Sequence, residues 1–358
     1  MRLIHRDILR SFFRILIMTL VGALILFTLI DLFDHLDSFE DNNASTLTMA
    51  RYYLNKVPEI IDTVLPIAML MATLFTIGGM ARYNELTALF ATGRSLMQVT
   101  RPLQVIALVT MLFSFAWSEF VMPPANAEVD RIWEVDVHGN ADRRAPTNNV
   151  SLNGQDQRLY YARTWVPEKE LVRGFRAIGT EGAVVKERWD AALASWDGSQ
   201  WVLEEGFHRI FDDVGGETLE SFDTLESGLT GVTPKSFRST GTKPEEMNVR
   251  QLRDYVHLIR HSGGDTTIYE VDMQFKLAFP FVHLIVVMLG VMLASGPRKT
   301  TVASGFGWTI FISFGYYLAI NFGRALGHSG SIPPIAAAWA GNLVFSVCAV
   351  VLFLRIRR

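Results

Sequence analysis

Ala191-Ala192-Leu193-Ala194-Ser195-Trp196-Asp197-Gly198-Ser199-Gln200-Trp201-Val202-Leu203-Glu204 reads as a β-hairpin. Two apolar and aromatic runs flank a turn whose Asp-Gly pair supplies the positive φ angles a tight reversal needs. Upstream, residues 158–166 are aromatic-rich and bounded by turn residues, and residues 174–179 alternate polar with apolar. Several short strands at close spacing predict a sandwich or jelly roll. Downstream, Val249, Leu252, Val256 and Ile259 recur at i, i+3, i+7 and i+10, which predicts a helix ended by Gly263-Gly264.

Further outward, the composition changes on both sides. The strand-rich segment belongs to a polar block at residues 123–267, and each side of that block carries three long apolar runs. They cover residues 12–30, 60–80, 103–121, 277–294, 302–322 and 335–354. A helix needs about 20 apolar residues to cross a bilayer's hydrocarbon core, so six spans are expected. The chain of 358 residues is 49% hydrophobic but only 19% charged, against about 25% charged for soluble domains. The first run is long for a signal peptide, and Asp31, Asp34 and Asp37 follow it rather than a small-residue cleavage site. It therefore reads as a retained helix.

Basic residues near span ends set the orientation. Arg2, Arg6, Arg10 and Arg14 precede span 1, and Arg82, Arg94 and Arg101 join spans 2 and 3. Arg298 and Lys299 join spans 4 and 5, and Arg355, Arg357 and Arg358 end the chain. With six spans all four groups share one face, the cytoplasmic one. Both termini are then cytoplasmic, and the polar block lies on the other side, with Asp31, Asp34, Asp37, Glu40 and Asp41.

The residues point away from catalysis. HExxH, GxSxG and CxxC patterns are absent. His208, His257 and His261 are isolated in sequence and read as surface residues. The single cysteine, Cys348, makes neither a disulfide nor a metal cluster and reads as a small buried packing residue. Gly296-Pro-Arg-Lys-Thr-Thr301 lacks the spacing of a phosphate loop, and Pro297 removes a donor such a loop needs. Any ATP and magnesium must bind another polypeptide. A net charge of −3 gives no sign of a nucleic-acid partner.

One link shows internal design. In Ala81–Ser95, Asn84 is placed to cap a short helix, Glu85 falls in its first turn and Gly93 closes it. Leu86, Leu89 and Phe90 make an apolar face. Such a helix either lies on lipid or plugs a groove in a cytoplasmic partner, because an isolated helix this short is marginal in water.

These residues resemble the lipopolysaccharide-export permease family, the paired LptF and LptG subunits. The match is sharpest at Pro58, Leu65-Pro66-Ile67-Ala68, the Ala81–Leu89 stretch and Ala91-Thr-Gly-Arg-Ser95. It returns at residues 247–263, at Tyr269, Lys276, Leu277, Ala278 and Pro280, and at Ser331-Ile-Pro-Pro-Ile-Ala-Ala-Ala-Trp-Ala340. The Ile-Pro-Pro and Pro58/Leu65-Pro66 patterns are closer to LptG.

The resemblance implies a bacterial inner-membrane permease. Helices in residues 1–122 and 268–358 would carry an inserted periplasmic β-jelly-roll at 123–267. The partners implied are an LptF-type permease subunit, an LptB-type ATPase dimer, LptC- and LptA-type periplasmic proteins, membrane lipid and lipopolysaccharide. The complex would draw lipopolysaccharide from the membrane through a cavity lined by spans 1, 2 and 5 of both permeases.

Residues 82–94 would form the coupling helix. Glu85 would be the polar contact to the ATPase, Leu86, Leu89 and Phe90 the apolar ones, with Arg82 and Arg94 beside them. The family often has basic residues near the outer end of span 1, where this chain has Asp31, Asp34 and Asp37 with only His35 near. The phosphate-facing cations would then be Arg51, Lys56, Lys276 and Arg324, with His35. Other readings are an LptF-type subunit, a lipoprotein-release permease, whose soluble domain would follow the first span, or a membrane-tethered periplasmic enzyme.

Overall fold

The computed structural model describes residues 2–139, 147–154, 156, 158–181, 184–211, 216–239, 243–261, 265–296 and 302–356. Gly263-Gly264, Arg298, Lys299, Arg357 and Arg358 lie outside the described residues, as does the side chain of His261. The chain forms two units. One joins Met1–Trp133 with Thr267–Arg358, and the other is Glu134–Thr266.

In chain order the helical unit begins with α1 (Arg2–Asp41), α2 (Thr46–Arg82), α3 (Glu85–Ala91), α4 (Leu96–Phe120) and α5 (Met122–Arg131). The second unit holds β1 (Thr147–Asn153), β2 (Arg158–Val166), β3 (Leu171–Glu181), β4 (Val184–Trp196), β5 (Trp201–Phe211) and β6 (Glu217–Glu226). It ends with α6 (Pro234–Ser239) and α7 (Val249–His261). The helical unit resumes with α8 (Thr267–Ala278), α9 (Val282–Ala294), α10 (Val302–His328) and α11 (Pro334–Ile356).

Among the described residues, five helices are long and apolar enough to cross a membrane: Leu3–Asp41, Thr46–Arg82, Leu96–Phe120, Thr267–Ala294 and Pro334–Arg355. The fourth is α8 and α9 joined through a single 3-10 turn, Phe279–Phe281. The remaining expected span falls on α10, a helix of 27 residues. Gly305, Gly307, Ser313, Gly315 and Asn321 dilute its apolar content.

Because lipid is as apolar as leucine, helices in a membrane associate by close packing and shared hydrogen bonds. α2 and α9 form the centre on those terms. A Cβ at Gly290 would stand 2.9 Å from Thr73 Cγ2, and the Thr73 hydroxyl donates back to Met69 O at 2.7 Å. α10 meets α11 and α8 through Gly323 and Gly327. A Cβ on the first would lie 2.5 Å from Ala337 O, and one on the second 2.8 Å from Ala337 Cβ. The Tyr316 hydroxyl donates to Asn342 Oδ1, and Asn342 Nδ2 donates to Ala278 O at 2.7 Å.

Cys348 is exposed rather than buried. It shares the outward face of α11 with Val344, Val347 and Val351.

The six strands form one antiparallel sheet in sequential order, β1 to β6. That order is a meander, and the described pairings include no crossover of the kind that links the two sheets of a jelly roll. The sheet is creased, however. The pairings Ala162↔Phe175, Phe175↔Ala191, Ala191↔Gly206 and Gly206↔Phe222 each step directly to a partner two residues on, leaving Arg163, Gly174, Ala192, Glu205 and Asp223 out of the ladder. Gly174 (φ 62) and Glu205 (φ 49) are left-handed there. A left-handed residue in a strand rotates the chain and bends it. Burial accordingly changes parity across the row, from Tyr160 and Ala162 to Trp165, and from Phe175 and Ala177 to Val172.

One side of the sheet carries the core: Tyr160, Trp165, Phe175, Trp201 and Leu203, closed by Leu229, Val232 and Phe237. Phe237 stacks on Trp165 at 5.1 Å, and Trp201 Nε1 donates to Val232 O at 2.7 Å.

The quoted hairpin forms, with Trp196↔Trp201 as its last pair. Only Gly198 takes a positive φ, 104°. Asp197 contributes its carboxylate, which accepts the backbone N–H groups of Gln200 (2.8 Å) and Ser199 (2.7 Å). Those donors hold the acid below the usual carboxylate range. His208 is not a free surface residue, since its ring lies 3.5 Å from that of Trp189. His257 is exposed, as expected.

Candidate functional site

α3 sits between two left-handed residues, Asn84 (φ 61) and Gly93 (φ 79). Asn84 does not cap the helix with its side chain. It turns the backbone instead, as asparagine tolerates the left-handed region better than most residues, and its carbonyl accepts Ala88 N–H at 3.0 Å. Gly93 closes the other end, its N–H donating to Phe90 O at 2.9 Å. Ser95 and Gln98 then form a capping box that starts α4.

The apolar face of α3 is divided. Leu86 is buried and Leu89 half-buried, both packed on the core of their own unit. Phe90 is 39% exposed, and Glu85 and Arg82 are exposed, while Arg94 is half-buried. The helix is thus anchored by Leu86 and presents Glu85 and Phe90 outward. Arg82 lies 5.9 Å from the Tyr83 ring centroid.

The expected phosphate-facing cations are each matched to an acid. Arg51 Nη2 donates to Glu128 Oε1 at 3.0 Å, and Arg131 meets the same oxygen at 2.7 Å. The Arg131 bond is the main reason Glu128 is held below the usual carboxylate range. Lys56 Nζ is 2.6 Å from Glu59 Oε2, and Lys276 is within electrostatic reach of Asp62. His35 Nδ1 is 2.8 Å from Asp31 O, and its ring packs edge-on against Trp133 at 4.8 Å.

Arg324 has the most elaborate setting. Its Nε lies 3.3 Å from Asp272 Oδ1, and its guanidinium carbon lies 5.0 Å from the Phe275 ring centroid. His328 Nε2 reaches the same Asp272 oxygen at 3.1 Å. The packing of α10 explains the cluster. Arg324 and His328 each follow one of the two packing glycines by one residue, so both fall on the stripe beside α8.

Asp272 and His328 are not among the residues that the sequence marks as candidates. A signal existed: Asp272 is an acid beside an apolar span, where an ionisable group is costly and pairs with another. His328 is one helical turn from Arg324. Among the described residues no group of three or more His, Cys, Asp or Glu side chains could hold a metal ion.

The family model described as "Lipopolysaccharide export system permease LptF/LptG" matches residues 6–355. The "Lipopolysaccharide export system permease protein LptG" of Escherichia coli K12 is 22% identical over 355 residues, covering 98% of each chain. That of Haemophilus influenzae is 22% identical over 312 residues, covering 81% of each. With a family model running from Arg6 to Arg355 through both units, the chain belongs to the lipopolysaccharide export permease family LptF/LptG.

Proposed function

We infer that this chain is an LptG-type permease subunit of a lipopolysaccharide exporter in the bacterial inner membrane. The observation that carries the reading is the family match over both units together, from residue 6 to residue 355. The basic groups at the span ends support cytoplasmic termini and a periplasmic sheet unit. ATP is hydrolysed by an LptB-type ATPase dimer, an LptF-type subunit completes the permease, and LptC- and LptA-type proteins receive the lipid. The sheet unit follows the third apolar helix, which argues against a lipoprotein-release permease. The creased sheet unit stands where the family's jelly roll would, as the soluble element of the lipid path.

The ATPase is engaged by α3. Glu85 and Phe90 make its outer contact, and Leu86 and Leu89 brace the helix from behind. Arg51, Lys56, Lys276, Arg324 and His35 line the side of the helical unit that meets the glycolipid, with Arg324 foremost because its half-exposed guanidinium lies over the Phe275 ring beside a buried acid.

Glu85→Lys tests the coupling role. The variant should insert into membranes at the normal level but lose co-purification with the ATPase and lose export. Normal co-purification together with normal export would remove Glu85 from the assignment.

A further inference from the structure

Arg324 is a cation that already has an anion. A lipid phosphate can bind it only by competing with the carboxylate of Asp272, and that carboxylate is buried, its side chain 9% exposed. Taking the guanidinium from a buried acid removes part of the compensation of its charge, which is unfavourable. The cost is smaller when a second donor is already seated. His328 is that donor, its Nε2 standing 3.1 Å from the oxygen that also faces Arg324.

The two side chains differ in what they can do next. Arg324 is the more exposed, 44% against 30% for His328, and its planar head lies over Phe275, where a cation is attracted by the ring face. A guanidinium can swing about such a ring from a carboxylate to a phosphate, and its fork geometry suits either anion. His328 belongs to the last turn of α10, and Gly327 beside it packs against Ala337 and Val271. His328 is therefore the fixed partner and Arg324 the mobile one.

We propose that Asp272 is a positioning residue, the counter-ion that Arg324 exchanges for a phosphate of the transported glycolipid, with His328 retaining the carboxylate when the guanidinium leaves. The proposal rests on the permease reading and on Arg324 meeting the lipid. It makes the acid a competitor of the substrate. Asp272 keeps the site from holding phosphate so tightly that the lipid cannot move on, and His328 sets how readily Arg324 is released.

The test uses the whole complex, with its partner permease and ATPase, in lipid nanodiscs, with a photoreactive amino acid replacing Tyr317. Lipid capture is titrated with a bisphosphorylated lipid A and with the same lipid after both phosphates are removed. Asp272→Asn keeps the side-chain shape and removes the competing charge. It should tighten capture of the phosphorylated lipid by about five-fold, the scale of one partly exposed ion pair, while slowing export. His328→Gln should weaken that capture, and the double variant Asp272→Asn/His328→Gln should behave as Asp272→Asn alone. Capture of the dephosphorylated lipid should not change.

If Asp272→Asn weakens capture of both lipids alike, the acid merely supports helix packing and the proposal is overturned. If Arg324→Gln leaves capture of both unchanged, Arg324 does not meet the lipid, and the proposal falls while the permease reading stands. Failure of the unsubstituted complex to capture either lipid would count against the permease reading itself.

Discussion

α1 and α2 are the two longest helices, 40 and 37 residues, and both contain strongly apolar stretches. Their surroundings are opposite. None of the most apolar stretch of α1 is buried, against 61% of that of α2. The difference lies in what packs on each helix rather than in hydropathy. α2 presents Ala68, Ala72 and Thr73 to its neighbours, all buried, so other backbones can approach it. α1 presents Ile17, Met18, Ile25, Leu26 and Phe33, all exposed. Lipid already satisfies such residues, so within this chain they gain little by burial. Apolarity puts a helix in the membrane, and close neighbours, admitted at α2 by Ala68, Ala72 and Thr73, make it a centre rather than a boundary.

The sharpest way to break this contrast is at Gly290, where α9 touches α2. Gly290→Val would press a branched side chain into Thr73 and Leu70, whose nearest atoms are already 2.9 Å and 3.3 Å from an added Cβ. Overpacking of this kind should cost about 3 kcal/mol. Thermal unfolding of the detergent-purified protein would register it, and an unchanged midpoint would show that α2 is not tightly held.

A smaller effect is expected at Leu70, which is fully buried. Leu→Ala in water-soluble cores costs about 2–5 kcal/mol. Here the transfer contribution is largely absent, because the alternative surroundings are lipid. Leu70→Ala should therefore fall near the lower end, about 2 kcal/mol, by the same measurement.

The smallest effect is expected on α1. Ile25, 56% exposed, should tolerate Ile25→Ala within about 0.5 kcal/mol in the isolated subunit. A cost several times larger in the assembled complex would identify α1 as a subunit interface, and a large cost in the isolated chain would contradict the contrast.

What the sequence made legible follows the same division. Apolar length marked the helices, and alternation with Asp-Gly marked the hairpin, because both are local properties of the chain. Asn84 was misjudged because its side chain and its backbone can each open a helix, and residue type alone does not choose between them. Cys348 was misplaced because α11 is apolar all round, so its lipid face and its packed face look alike. The crease was hidden because it depends on Gly174 and Glu205 aligning across paired strands. The pairings of Arg51 and Arg324 are hidden as well, because Glu128 is far from Arg51 in sequence and Asp272 far from Arg324, whereas Lys56–Glu59 and His35–Asp31 are local.

The bracketing of α3 has a mechanical consequence. A slack loop between two spans would absorb a push by rearranging, and little of the stroke would reach either span. α3 has little slack, with tight reversals at Asn84 and Gly93 and Leu86 pinned beneath it. A displacement applied to its outer side is delivered to the end of α2 and the start of α4 together, as a crank turns two shafts. Because α2 packs in the centre of the helical unit, a displacement applied there would enter at a well-packed member of the bundle.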